Sequence, residues 1–229
     1  LRPDSSFTDL EAEILDLILL IHAEHGGGNN STFTSHVVSS TGTDTYSSVS
    51  ASIGSLKGPL HGGANCMVSN MIEDIKKNCS YTNEEFLKEY IKKIFMGEAF
   101  DGSGKVYGMG HAIYTLSDPR AVILKKKAYE LAKEKGQLEE FELFSNVEKF
   151  TKEIGKEIKG EGFEICANVD LYSGFVYKLL NIPTNIFTPL FALARIASWN
   201  AHRIEQITSD KKIIRPAYKA IDVHGKLLV

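Results

Sequence analysis

The sequence predicts an all-α protein, on three observations. Apolar residues recur at spacings of three and four along most of the chain, as in Leu10, Ile14, Leu17, Ile18 and Ile21, or Met67, Met71 and Ile75. Helix-start signals stand ahead of these stripes: Thr8 with Glu11, Thr82 with Glu85, Asp118-Pro119, and Ser145 with Glu148. Strict alternation of apolar and polar residues is almost missing, and only the tail from Lys211 has the look of a short strand.

The elements follow in order. The first helix starts at the Thr8–Glu11 capping box. Leu15, Leu19 and Leu20 fill its second side, so it is expected to be buried all round and to end at His25-Gly26-Gly27-Gly28-Asn29-Asn30. Residues 31–57 are rich in Ser, Thr, Ala and Gly, whose small side chains predict one or two closely packed helices. Pro59-Leu60-His61-Gly62-Gly63-Ala64-Asn65 then leads into the helix of Met67, Met71 and Ile75. The Thr82–Glu85 pair opens a helix through Phe95, and a glycine-rich loop covers Gly97 to Gly110. Asp118 reads as an N-cap with Pro119 at the first helical position. Ser145 and Glu148 predict the start of another helix, and Lys156 to Glu164 a charged surface loop. A helix over Val169–Leu180 is stopped by Pro183, and Thr188-Pro189 opens a long alanine-rich helix through Gln206.

Composition limits the function classes. With 229 residues the chain can fill one large domain or two modest ones. A net charge of -3 carries no basic signature of a nucleic-acid binder, so an anionic ligand must be met by locally placed cations. No apolar run approaches the ~18 residues of a membrane span, and the start does not read as a signal peptide. Cys66, Cys79 and Cys166 are odd in number and widely spaced, which fits a reducing compartment and buried free thiols. The chain starts at Leu1 without methionine and runs almost at once into a helix, which reads as a fragment lacking an upstream part.

Several polar residues stand where packing alone does not require them. His22 and His25 are three apart, but no third ligand follows at a metal-site spacing, and no metal is expected. His25 leads into three glycines and Asn29, a turn that lets backbone approach an anion closely. His61 lies between Pro59 and Gly62-Gly63, either as an incidental member of a helix-entry turn or held for close approach to a ligand. His111 follows Gly108-Met109-Gly110, and Arg120 lies nine residues on at a helix start. Asp170 reads either as an N-cap or as a general base. Arg195 sits in the apolar helix Phe191-Ala192-Leu193-Ala194-Arg195-Ile196-Ala197, where a guanidinium needs an internal carboxylate or a bound anion.

Three stretches, in this order, resemble citrate synthases: Gly58-Pro59-Leu60-His61-Gly62-Gly63-Ala64-Asn65, Gly108-Met109-Gly110-His111 with Asp118-Pro119-Arg120, and Asn168-Val169-Asp170-Leu171-Tyr172-Ser173-Gly174. The resemblance covers essentially the whole chain and implies a helical large domain and a smaller one with the active site in their cleft. Residues 1–62 and 181–229 would belong to the large domain and 63–180 to the small, CoA-binding domain. It implies condensation of acetyl-CoA with oxaloacetate and hydrolysis of citryl-CoA, with Asp170 as base, His61 on the thioester oxygen and His111 on the ketone. His25, Asn29, Arg120 and Arg195 would bind oxaloacetate, and Arg215 would reach the partner subunit's site. Val106, Tyr107, Gly108, Met109, Gly110 and Asn168 would contact CoA. Shortly before Asn168, where many relatives have a lysine, Lys159 is the nearest candidate.

The resemblance further implies a cytoplasmic homodimer of the tricarboxylic acid cycle, with no metal or permanently bound cofactor and no nucleic-acid or membrane partner. The family's N-terminal portion is absent, so the isolated chain is expected to be inactive or unstable. 2-Methylcitrate synthase, which takes propionyl-CoA, shares the motifs. The readings from other classes are a metal-dependent hydrolase using His22, His25, His61, His111 and Asp170, and a helical interaction module without activity.

Overall fold

The computed structural model describes residues 4–111, 113–209 and 212–217. Among them are nine α-helices and no strand: α1 Asp9–His22, α2 Asn30–Ser39, α3 Thr45–Leu56, α4 Ala64–Asn78, α5 Glu84–Met96, α6 Pro119–Glu134, α7 Leu138–Lys159, α8 Val169–Leu179 and α9 Phe187–Ser209, with a 3-10 turn at Thr184–Ile186. The all-α expectation holds. An isolated bridge pairs Met109 with Ala167. Of the tail from Lys211, where a short strand was expected, residues 212–217 hold no strand, and Lys211 and residues 218–229 lie outside the described residues.

Two start signals work as read. Thr8 and Glu11 cap α1 reciprocally, and Asp118 caps α6 with Pro119 in its first turn. Two others do not. The cap of α5 is Asn83, whose side chain accepts from the Glu85 and Phe86 amides, because asparagine caps better than the threonine before it. Ser145 and Glu148 lie inside α7, since Phe141, Phe144, Val147, Phe150 and Ile154 form one buried stripe through them. Glu148 spends its carboxylate on Lys125, Lys152 and the Tyr172 hydroxyl. Because α7 continues to Lys159, the expected loop from Lys156 begins only after that residue.

Helix α1 also departs from expectation. It ends at His22 and buries one face, through Glu11, Ile14, Ile18 and His22. Leu20 is 70% exposed, and Leu15 and Leu19 line an open hollow of about 530 Å³ with Phe7, Leu180 and Ile182.

The chain divides into two compact units. The first comprises 1–24 and 56–195. In it α8 packs against α6 and α4, α5 against α7, and α1 against α6. Its core runs from Ile14 and Ile18 through Met71, Leu124 and Val147 to Phe175 and Phe187. Gly174 sets the α8–α4 approach: a Cβ there would stand 3.1 Å from the Asn65 carbonyl and 3.2 Å from Ser69 Oγ. That close contact fixes the first turn of α8, which carries Asp170, relative to the first turn of α4, which follows His61.

The second unit comprises 25–55 and 196–229. Its described part packs small hydroxyl residues of α2 and α3 around Trp199, the only tryptophan of the chain. Ser31, Ser35, Ser39, Ser48 and Ser52 are buried. They satisfy one another locally: Ser48 Oγ lies 3.1 Å from Ser35 Oγ and 2.9 Å from Ser39 Oγ, and Trp199 Nε1 donates to Ser31 Oγ. The small-residue segment thus forms two tightly packed helices, as its composition predicts.

Candidate active site

His61, His111, Arg120, Asp170 and Arg195 all lie in the first unit. Each is held by a different local device.

Asp170 is the second residue of α8. The N-cap is Asn168, whose side-chain oxygen accepts from the Asp170 amide at 3.0 Å. Capping therefore does not consume the Asp170 carboxylate, which settles the N-cap alternative in favour of Asn168. Asp170 Oδ1 is buried with no hydrogen-bond partner among the described residues. Burial pushes the carboxyl up to about 6; Arg120 and Arg195 pull it down, and Asp118 opposes them. A carboxylate with that affinity for a proton, and without a hydrogen bond on one oxygen, is a competent base near neutrality.

His61 is fixed by a turn between α3 and α4. Its amide donates to the Gly58 carbonyl at 3.0 Å, and the Gly62 amide donates to the Leu56 carbonyl at 2.7 Å. A Cβ at Gly62 would stand 2.6 Å from that carbonyl oxygen, so the turn needs glycine. Burial, assisted by the charge of Arg195, lowers the imidazole to about 4. His61 is thus neutral at pH 7, able to donate one hydrogen bond without being an acid strong enough to lose its proton outright.

His111 and Arg120 converge. His111 Nδ1 accepts from the Ile113 and Tyr114 amides at 3.0 and 3.1 Å. In the neutral ring the proton must then sit on Nε2, making Nε2–H a donor. Burial lowers the pKa of His111, the Arg120 charge lowers it further, and Asp118 opposes both. Nε2 faces Arg120 Nη2 at 3.4 Å. A guanidinium carries only donors, so two donors stand side by side here, a pairing suited to an oxygen acceptor. Asp118 orients the arginine, its Oδ1 accepting from Arg120 N and Nε and its Oδ2 from Nη2 at 2.8 Å. Burial pushes the Asp118 carboxyl up, but the hydrogen bonds and charge of Arg120 outweigh it, and the net shift is downward.

Arg195 is fully buried, and its Nε donates to the His22 carbonyl at 2.6 Å. The guanidinium lies 5.0 Å from the Phe191 ring centroid, a cation–π contact. Burial lowers its pKa to about 10, which leaves it charged at neutral pH. His22 is itself buried, with Nδ1 2.9 Å from the Ile18 carbonyl, and burial lowers it to about 4.

The glycine loop packs against the start of α8. Gly108 has φ +82°, and a Cβ there would stand 2.8 Å from Leu171 Cα. The Asn168 amide donates to the Gly108 carbonyl, and Asn168 Nδ2 to the Gly110 carbonyl, both at 2.9 Å. Val106, Tyr107, Gly108, Met109 and Asn168 line one open hollow of about 380 Å³, together with Phe95, Lys105, Lys159 and Phe163. Lys159 Nζ lies over the Phe95 and Phe163 rings, at 5.3 and 4.7 Å.

His25, Asn29 and Arg215 belong to the second unit. His25 is half-buried, Asn29 Oδ1 accepts from Ser31 Oγ at 2.9 Å, and Arg215 is exposed beside Ile214, whose amide donates to Ser40 Oγ.

Sequence reasoning missed two parts of this arrangement. Asp118 is read only as a cap, although an aspartate two residues before an arginine at a helix start can both cap and clamp. The grip of the His22 carbonyl on Arg195 leaves no sequence signal, because it depends on a backbone atom 173 residues away.

Comparison with known proteins identifies the family. The family model "Citrate synthase, C-terminal domain" matches residues 3–217. A citrate synthase of Synechocystis sp. is 42% identical over 215 residues, covering 93% of this chain and 49% of the relative. The citrate synthase structure from Pyrobaculum aerophilum has a TM-score of 0.78 at 33% identity and covers 99% of this chain and 52% of that one. The ternary complex of carboxymethyl coenzyme A and oxaloacetate with the Thermoplasma acidophilum citrate synthase has a TM-score of 0.74 at 29% identity, covering 95% of this chain and 56% of that one. The chain spans about half the length of the relatives it matches. The chain belongs to the citrate synthase family.

Proposed function

We propose that this chain carries the catalytic residues of a citrate synthase, which joins acetyl-CoA to oxaloacetate and hydrolyses the citryl thioester. The observation that carries this reading is the approach of His111 Nε2 and Arg120 Nη2 to 3.4 Å, two donors that together suit an anionic oxygen ligand. Asp170, with its raised proton affinity, supplies the base.

The roles follow from the chemistry. Asp170 takes a proton from the acetyl methyl group. His61, as a neutral donor, hydrogen-bonds the thioester oxygen as charge develops on it, a contribution of several kcal/mol at a fixed donor. The enol carbon then bonds to the ketone carbon of oxaloacetate as His111 gives its Nε2 proton to the ketone oxygen. His111 regains a proton from the water that next adds to the thioester, and the proton on Asp170 leaves with the CoA sulfur. Water adds to the thioester carbonyl, and CoA leaves as the thiol with citrate as the other product.

His25, Asn29, Arg120 and Arg195 hold oxaloacetate, and Arg215 serves the partner subunit of a homodimer. Val106, Tyr107, Gly108, Met109, Gly110 and Asn168 contact CoA. Five of them, all but Gly110, line one hollow beside Lys105 and Lys159, which supports this, because CoA brings phosphates that need cations. Residues 1–62 and 181–229 form the large domain and 63–180 the small one. The enzyme works in the cytoplasm, in the tricarboxylic acid cycle, and binds neither metal nor permanent cofactor for this reaction.

The test is CoA release from acetyl-CoA and oxaloacetate by the protein in its full natural form, beside Asp170→Ala. Release that depends on Asp170 is the expected result. A stronger rate with propionyl-CoA would keep the mechanism and change the substrate. Equal rates in the parent and Asp170→Ala would overturn the assignment.

A further inference from the structure

A second cluster lies in the other unit and uses none of the residues given a role above. His36 of α2 and His202 of α9 approach with Nε2 and Nδ1 3.2 Å apart. The carboxylate of Glu205, three residues after His202, lies 3.4 Å from the same His202 Nδ1. One ligand atom from each of His36, His202 and Glu205 falls within 4.8 Å of the others. We propose that these three side chains form a binding site for a divalent transition ion of the zinc type, clamping α2 to α9.

The distances carry this. Zinc–nitrogen bonds are about 2.0–2.1 Å long, and a tetrahedral arrangement then puts neighbouring ligand atoms about 3.3–3.4 Å apart. The 3.2 and 3.4 Å separations are close to two edges of such a tetrahedron. The Glu205 side chain, 65% exposed, swings to close the third edge toward His36.

The tautomers fit as well. His36 Nδ1 lies 2.9 Å from Gln206 Oε1, an acceptor, so Nδ1 carries the proton and the Nε2 lone pair points at His202. A hydrogen-bonded second nitrogen is the usual support of a metal-bound histidine. Ion binding then puts the His202 proton on Nε2, with no net change of charge on either ring. Room is provided by Gly27: a Cβ there would stand 3.5 Å from His36 Nε2 and 3.7 Å from His202 Nδ1. Glycine keeps clear the position facing both nitrogens. Two imidazoles and one carboxylate suit zinc, with a fourth place for water.

The test is calorimetric titration of Zn2+ into chelator-treated protein, with the melting temperature read alongside. The expected result is one saturable ion per chain and a raised melting temperature, since an ion that binds only the folded state stabilises it. Glu205→Ala, an exposed truncation that leaves the fold in place, should weaken binding at least tenfold, and His202→Asn should abolish it. Visible absorption of a Co2+ complex, intense when tetrahedral, should appear in the parent and vanish in His202→Asn. Absence of saturable binding overturns the proposal, as does binding unchanged in Glu205→Ala, which would place the ion elsewhere. If His202→Asn does not fold, Glu205→Ala decides alone.

Discussion

Asp118 joins stability and site geometry in one side chain, which makes its replacement informative. Its carboxylate is inaccessible to solvent, caps α6 through the Arg120 amide, and grips the Arg120 side chain through Nε and Nη2. Asp118→Asn keeps the cap and the shape but removes the charge. A charge-assisted hydrogen bond contributes about 1.5–3 kcal/mol against about 1 for a neutral one, and the Arg120 side chain is 15% exposed, so the loss should be about 1–2 kcal/mol. Asp118→Ala removes the cap as well, about 1 kcal/mol, and leaves a largely buried guanidinium without its carboxylate, for a total of about 3–5 kcal/mol. Urea unfolding of the parent and both variants measures this, provided the slope of the transition is unchanged. Thermal stabilisation by oxaloacetate should fall in the same order, because Arg120 loses its orientation toward His111. An alanine variant within about 1 kcal/mol of the parent would refute the reasoning, since the carboxylate would then not be holding the arginine.

Other substitutions probe the remaining parts. Gly108→Ala forces a left-handed residue and a Cβ 2.8 Å from Leu171 Cα, so it should cost about 2–5 kcal/mol and lower CoA affinity; a melting temperature equal to the parent's would contradict this. Arg195→Met replaces a buried charge with an apolar chain of similar length, so unfolding free energy should change by under about 2 kcal/mol while oxaloacetate no longer stabilises the protein. Retained oxaloacetate stabilisation would remove Arg195 from the site. With Asp170 raised to about 6, the proposed base is protonated below that pH, so kcat/KM should fall about tenfold per pH unit on the acid side. A profile flat to about pH 4.5 would mean that another group takes the proton.

Much of this protein is determined locally and was therefore readable along the chain. Thr8 with Glu11 and Asp118 with Pro119 mark helix starts because a cap acts within one turn. The motifs around His61, His111 and Asp170 are equally local: each is a short turn or helix start whose glycines and caps stand beside the candidate residue. The errors also have a common cause. Ser145 with Glu148 looks like a cap, but the buried stripe of α7 outweighs one capping bond. Leu15, Leu19 and Leu20 are apolar, but whether they are buried depends on what packs over them.

Only the tertiary structure decided how the charges are balanced. It lowers His61 to about 4, raises Asp170 to about 6, and joins Arg195 to the carbonyl of His22. It also brings His36 within 3.2 Å of His202, 166 residues along the chain, a pairing with no spacing to reveal it. Caps and turns are energies between neighbours in sequence. Desolvation and convergence of side chains are energies between neighbours in space, and those exist only once the helices have packed.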